Sequence, residues 1–157
     1  MTTSLKRAGT VLLSVLLLCT LALSAGAASK LRVGVKFWKT GSDKESMANS
    51  GIDTSREASL TRQSNGTYTL TLPIQQVSKM GVTGYLTGLT IGDVTYNGTV
   101  TGDVTKDTHV LTIKNLPASV LTGSDVNKAL TVTCNIQMDL SLLGEINTSA
   151  RMCIWNK

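Results

Sequence analysis

The sequence predicts an all-β chain that folds as an immunoglobulin-like antiparallel β-sandwich of about eight strands. Short segments in which apolar and polar residues alternate follow one another along most of the chain. Thr and Gly are abundant in and between these segments, and no long segment after residue 27 has the period of an amphipathic helix. Two packed antiparallel sheets are the usual way to bury the apolar faces of many short strands.

Residues 1–27 have the composition of a secretory signal peptide. Lys6 and Arg7 form a basic start, an apolar stretch follows, and Ala25-Gly26-Ala27 supplies the small residues of a cleavage site. The apolar stretch is shorter than the roughly 20 residues that span a bilayer, although an uncleaved anchor is the alternative. We therefore expect a signal peptide at 1–27 and one secreted domain at 28–157.

The charge of the predicted domain argues against a nucleic-acid partner. After Lys6 and Arg7 are removed, 13 basic and 10 acidic residues remain, which is a net charge of +3. The basic residues occur singly, without the runs and interleaved aromatic residues of nucleic-acid-binding grooves.

The first strand is predicted from the alternation of Leu31, Val33, Val35 and Phe37 with Arg32, Gly34, Lys36 and Trp38. A polar turn follows, and Ser46 is placed to cap a turn of helix at its end.

The other predicted strands are 58–63, 67–74, 85–91, 94–96, 99–104, 109–113, 130–140 and 148–155. Hairpin turns are expected at Ser64-Asn65-Gly66 and at Asn97-Gly98, because Asn-Gly between alternating segments favours a tight turn. In the segment 85–91, Tyr85, Thr87, Leu89 and Ile91 are predicted to share one face, and the segment ends at Gly92-Asp93. Pro117 ends the strand that contains Ile113.

Nothing in the sequence indicates an enzyme or a metal cluster. His109 is the only histidine, and it is predicted to be a plain strand-edge residue because no orienting partner accompanies it. The spacing of one histidine and two cysteines fits no zinc site, and the acidic residues form no calcium loop. We therefore predict a protein that binds without catalysis.

Cys134 and Cys153 remain after removal of the leader, and an exported chain can oxidise them. Their strand positions leave a disulfide open. The two sulfurs can meet if Trp155 points inward, and they diverge if Ile154 does.

Two motifs after the first strand resemble the opening of a near-iron-transporter (NEAT) domain, the haem-binding module of bacterial surface proteins. They are Lys39-Thr40-Gly41-Ser42-Asp43 and Ser46-Met47-Ala48-Asn49. A looser likeness continues to Trp155, and the family fold is an immunoglobulin-like sandwich, as the strand pattern predicts. The resemblance implies a secreted or cell-surface module that binds haem and transfers it in bacterial iron acquisition. The implied partners are haem, a haem-carrying host protein, or another surface haem-relay protein.

Members of this family hold the porphyrin between the turn after the first strand and the hairpin of the last two strands. The iron usually takes a tyrosinate from a Tyr-x-x-x-Tyr motif, and some members use methionine on both sides. In this chain Gly144 and Thr148 stand where the two tyrosines should be, and Tyr68, Tyr85 and Tyr96 lie elsewhere. Tyrosinate ligation of the usual kind is therefore not expected.

The resemblance then implies Ser46 as a hydrogen-bond donor to a propionate and Met47 and Met152 as iron ligands, with Met138 as the other candidate. Met152 is chosen because it shares strand parity with Thr148, and a thioether is a reasonable haem ligand. The alternative is that these methionines fill gaps in the core. In that case the chain is a secreted β-sandwich that binds a protein or carbohydrate partner through its loops, without a cofactor.

Overall fold

The computed structural model describes residues 28–79, 81–103, 108–139 and 144–157, apart from the side chain of Lys79. The predicted signal peptide at 1–27 and the end of the predicted strand at Leu140 lie outside these residues. The described strands are β1 (Lys30–Lys39), β2 (Ala58–Arg62), β3 (Tyr68–Pro73), β4 (Val77–Lys79), β5 (Val82–Ile91), β6 (Val94–Thr101), β7 (Val110–Leu116), β8 (Leu130–Met138) and β9 (Glu145–Asn156). Short 3₁₀ helices lie at Met47–Gly51, Ala118–Val120 and Val126–Lys128. Within the described ranges, no helix has the length and hydropathy to cross a membrane.

Antiparallel pairing connects the strands in the order β4-β5-β6-β7-β3-β2-β1-β9-β8. One further ladder joins β5 to β8, from the pair Gly84–Met138 to the pair Thr90–Thr133. This ladder closes eight of the strands into a barrel and leaves β4 attached to β5 outside the ring. The all-β antiparallel prediction is confirmed. The two separate sheets of the predicted sandwich are instead one closed sheet, because β5 is long enough to pair with β4, β6 and β8.

The barrel interior is filled by the apolar residues that alternate along the strands. The predicted inward face of β1 is confirmed, since Val33 and Phe37 are buried and Leu31 and Val35 pack against the core. Further fully buried side chains are Leu60, Leu70, Leu72, Ile74, Leu89, Leu111, Ile113, Leu116, Met152 and Ile154. Each side chain of this size contributes about 1.5–3 kcal/mol through burial. The hydrophobic interior therefore accounts for the position of most strands.

The hairpin predicted at Asn97-Gly98 is wrong, because both residues lie inside the continuous strand β6. The chain turns earlier, at Gly92-Asp93, where Ile91 pairs with Val94. A Cβ atom on Gly98 would lie 2.2 Å from the side chain of Leu111. Gly98 thus allows the core to pack against β6 and is not a turn residue.

The alternation predicted for 85–91 is interrupted by a β-bulge. The pairing of β5 with β8 shifts between Leu86 and Gly88. As a result Leu86 and Leu89 are both buried, although an unbroken strand would place them on opposite faces.

The loop before β2 contains the ion pair of Asp53 and Arg56, and Arg56 joins this loop to the barrel. Asp53 accepts hydrogen bonds from the Ser55 hydroxyl and from Arg56 Nε, both at 2.5 Å. Arg56 Nη2 also donates to the backbone carbonyls of His109 (2.8 Å) and Ile74 (3.3 Å). The hydrogen bonds from Ser55 and then Arg56 hold the pKa of Asp53 below its usual value. The carboxylate is therefore the stable form in the folded protein.

His109 differs from its prediction. It directly precedes β7, but it is fully buried and is not a strand-edge residue. Neither of its ring nitrogens has a hydrogen-bond partner in the described part of the chain. Its ring lies 6.4 Å from that of Tyr85 in an edge-to-face arrangement of 84°.

Replacing Asp53 by Asn should lower the free energy of unfolding at neutral pH by about 1–3 kcal/mol, since charge-assisted hydrogen bonds are lost. A depressed folded pKa means that this stability is present above the usual value of 3.8 and is lost as the pH falls through the folded pKa. The difference between wild type and Asp53→Asn should therefore shrink below about pH 4. Urea unfolding across this range measures it. Asp93→Asn, at the exposed β5–β6 turn, is the matched control, and an equal loss at acid and neutral pH would contradict the expectation.

Candidate functional site

The barrel has an opening where β9 extends past β1. The ladder between β1 and β9 ends at the pair Lys39–Ala150. The β8–β9 ladder continues for five further residues of β9, back to Glu145. The segment Glu145–Ser149 therefore has a strand neighbour on one side only among the described residues, and we call it the overhang.

A groove of about 340 Å³ lies beside the overhang. It is bordered by the 3₁₀ helix Met47–Gly51, by β4 and the beginning of β5, and by the end of the β8–β9 hairpin. The residues that line it are Met47, Ala48, Gly51, Val77, Val82, Gly84, Tyr85, Leu86, Ile136, Met138, Ile146 and Thr148. None of these residues is charged. The volume and the apolar lining are typical of small-molecule pockets.

Two of the three predicted methionines lie in this groove. Met47 is 48% exposed at its rim, and Met138 is half-buried. Met152 is not part of the groove and is fully buried in the core. Its parity with Thr148 is as predicted, but it lies four residues further along β9, or roughly 13 Å at 3.3 Å per residue. Met47 and Met138 therefore lie in the same groove, and Met152 lies in the core.

The helix Met47–Gly51 is fixed to β1 by side chains of its own motif. The Ser46 hydroxyl accepts a hydrogen bond from the backbone N–H of Ala48 (3.3 Å), so the predicted cap is confirmed. The Asn49 side chain accepts from the N–H of Phe37 and donates to its carbonyl, both at 2.7 Å. Asn49 thus satisfies the edge of β1 as a neighbouring strand would.

A second set of contacts fixes the turn before this helix. The guanidinium of Arg151 donates to the carbonyls of Ser42 (2.7 Å) and Lys39 (3.3 Å) and to the Asp43 carboxylate (3.0 Å). Because Arg151 is on β9, it joins the turn to the strand that continues into the overhang.

The position of Met138 depends on its neighbours in β5 and β8. A Cβ atom on Gly84 would lie 2.8 Å from the Met138 sulfur, so the thioether rests directly on the glycine. The next residue, Asp139, accepts hydrogen bonds from the side chains of Gln76 and Thr83. The end of β8 is therefore held against the strands that line the groove.

Tyr85 was not expected at the site. The resemblance to NEAT domains places the iron-binding tyrosine at the final strand, whereas Tyr85 lines the groove from β5. Ile136 and Ile146 were also missed, and Ile146 is 42% exposed. The only sequence signal for Ile136 was its position two residues before Met138, which places both on the same face of the strand.

Cys134 and Cys153 are free and buried. Cys134 pairs with Thr148, so Cys153 lies five residues further along β9. Ile154 is buried in the core, which is the arrangement in which the two sulfurs diverge. Burial raises the pKa of Cys134 to about 12, so this residue remains a thiol at neutral pH.

The described ranges contain no cluster of His, Cys, Asp and Glu that could hold a metal ion. Among the described residues that line the groove, Met47 and Met138 carry a thioether, and Tyr85 and Thr148 carry a hydroxyl. The described lining is thus suited to a large apolar ligand.

No family model and no curated protein matches the chain. Among solved structures, it is similar to the NEAT5 domain of IsdX2, a B. anthracis hemophore in complex with heme. The TM-score is 0.52 at 12% identity, over 83% of this chain and 98% of that chain. A point mutant of IsdX2-NEAT5 in complex with heme gives a TM-score of 0.52 at 13% identity, over 84% and 98%. The chain therefore has the fold of a NEAT domain.

Replacing Asn49 by Ala should destabilise the helix Met47–Gly51, because Phe37 loses both side-chain hydrogen bonds. We expect the free energy of unfolding to fall by about 1–3 kcal/mol. Amide exchange in this helix should be faster than in the wild-type protein, with β3 as the internal reference. Urea unfolding and hydrogen exchange measure the two effects. Asn97→Ala, at an exposed position of β6, is the control. Unchanged exchange in Asn49→Ala would show that packing alone holds the helix.

Proposed function

We propose that this chain is an extracellular haem-binding and haem-transfer module of bacterial iron acquisition. The observation that carries the proposal is the uncharged groove in which Met47 and Met138 both lie. The chain also shares its fold with NEAT domains whose structures contain heme.

The groove suits the flat faces of a porphyrin. Its lining is almost entirely aliphatic, and burial of apolar surface contributes about 25 cal/mol per Å² before the cost of association. Met47 and Ile146 are exposed at its rim, so the groove is open to solvent. An open groove lets haem enter from, and leave to, another protein without unfolding of the barrel.

Met47 and Met138 are the proposed thioether contacts to the iron. They take the role that the sequence assigned to Met47 and Met152, because Met152 lies inside the barrel. Bound haem would supply an iron centre, and the soft, neutral thioethers of Met47 and Met138 would hold it.

The turn before Met47 offers groups for the propionates. Both of its acidic residues are in ion pairs, Asp43 with Arg151 and Glu45 with Lys36. Lys39 and Lys44 are exposed and have no ion pair among the described residues. The Ser46 hydroxyl accepts its capping hydrogen bond and retains its own proton to donate. These groups can stabilise propionates that extend from the groove into water.

The proposed setting is the outside of a bacterial cell. The predicted signal peptide at 1–27 supports export, and the haem source is then a haem-carrying host protein or another surface haem-relay protein. Secretion itself is tested by the amino terminus of the mature protein.

Titration with hemin tests the function. Folded protein should give a saturable shift of the Soret band with one haem per chain at micromolar concentration. Replacing both Met47 and Met138 by Leu keeps the groove apolar, and it should lower the affinity several-fold and change the spectrum, because the thioethers are lost.

Met152→Leu is the matched control, since it makes the same substitution in the core and should leave hemin binding unchanged. Protein that is folded by circular dichroism and shows no spectral change at micromolar hemin would contradict haem binding. The reading of a cofactor-free domain that binds a protein or carbohydrate would then remain.

A further inference from the structure

The described lining of the groove contains no charged group that could neutralise a bound cation. This described lining includes no Asp, Glu, Cys, His, Lys or Arg side chain. The thiol of Cys134 lies on the same strand as Met138, but it is buried in the core and does not line the groove. The metal-facing chemistry of the site is therefore that of thioethers and neutral oxygens.

Building on the proposed haem-binding function, we propose that the groove selects ferrous haem over ferric haem, with Met138 as the residue that determines this preference. The iron–porphyrin core carries one positive charge in the ferric state and none in the ferrous state. Moving an uncompensated charge out of water into an apolar site is unfavourable. The apolar groove thus disfavours the ferric form by its lack of an anion.

The thioethers act in the same direction. Sulfur in methionine is a soft, neutral donor, and soft donors favour the lower oxidation state of a metal. Methionine ligation of haem accordingly raises the reduction potential of the iron. Both the presence of the sulfurs and the absence of a carboxylate therefore favour ferrous iron.

Met138 is better placed than Met47 to make this distinction. Its sulfur rests on Gly84, and the following residue is held by Gln76 and Thr83. Met138 is half-buried, whereas Met47 is 48% exposed at the rim. A fixed thioether away from bulk water interacts more strongly with the iron than a solvated one.

Thermodynamic linkage relates the preference for ferrous haem to the reduction potential of the bound iron, which can be measured. If ferrous haem binds tenfold more tightly than ferric haem, the potential of the bound iron lies 59 mV above that of the free haem. We expect at least this shift in the wild-type protein. In Met138→Leu the ratio of the two affinities should fall by more than threefold relative to wild type, because the apolar groove remains but the fixed thioether is lost.

Anaerobic titrations of the full chain with hemin and with dithionite-reduced haem measure both affinities, and spectroelectrochemistry measures the potential independently. Met152→Leu is the control and should keep the wild-type ratio. Tyr85→Phe is a second comparison, because Tyr85 is the phenol that lines the groove.

Equal affinities for the two oxidation states, or tighter ferric binding that is lost in Tyr85→Phe, would overturn the inference and leave haem binding intact. A wild-type preference that persists in Met138→Leu would overturn the role of Met138. If neither form binds to folded protein, the proposed function fails together with the inference.

Discussion

Pairing between β5 and β8 is the constraint on which the site depends. It closes the barrel, and it also brings the beginning of β5 against the end of β8. Gly84 is thereby opposite Met138, and the two strands together form one side of the groove. Without this ladder the strands would form an open sheet, and the apolar residues at its ends would have no common cavity.

The residues around the groove show a division between apolar lining and polar support. The described lining of the groove has no charge, whereas the elements that border it are held by Asn49, Arg151 and Asp139 through directed hydrogen bonds. Directed bonds to the backbone can hold a segment whose apolar side faces solvent, as Met47 does. Packing of the Met47 side chain into the core would also hold this segment, but it would remove that side chain from the groove.

Alternation in the sequence was sufficient to predict most strands, the inward face of β1 and the hairpin at Asn65-Gly66. It failed where two turn signals compete, since Gly92-Asp93 and Asn97-Gly98 lie five residues apart and only the first makes the turn. The bulge in β5 was also invisible, because it depends on the partner strand β8.

The methionines illustrate the same limit at the site. Parity placed Met138 with the apolar residues of β8 and Met152 on the same face as Thr148, but it carries no information about depth in the barrel. Depth is set by long-range register, which pairs Met152 with Phe37 in the core and Met138 with Gly84 at the opening. The resemblance to NEAT domains predicted the fold, whereas the residues that meet in the groove follow from the register.

The overhang Glu145–Ser149 has one further consequence for how the barrel behaves. Its outer backbone edge has no strand partner among the described residues, so its amides and carbonyls rely on water there. Unprotected edges can recruit other chains, and the exposed polar residues Glu145, Asn147 and Ser149 oppose such association. Because it has one ladder only, we expect this segment to open locally at less cost than strands that are paired on both sides. Local opening there would widen the groove while the closed ring behind it stays intact.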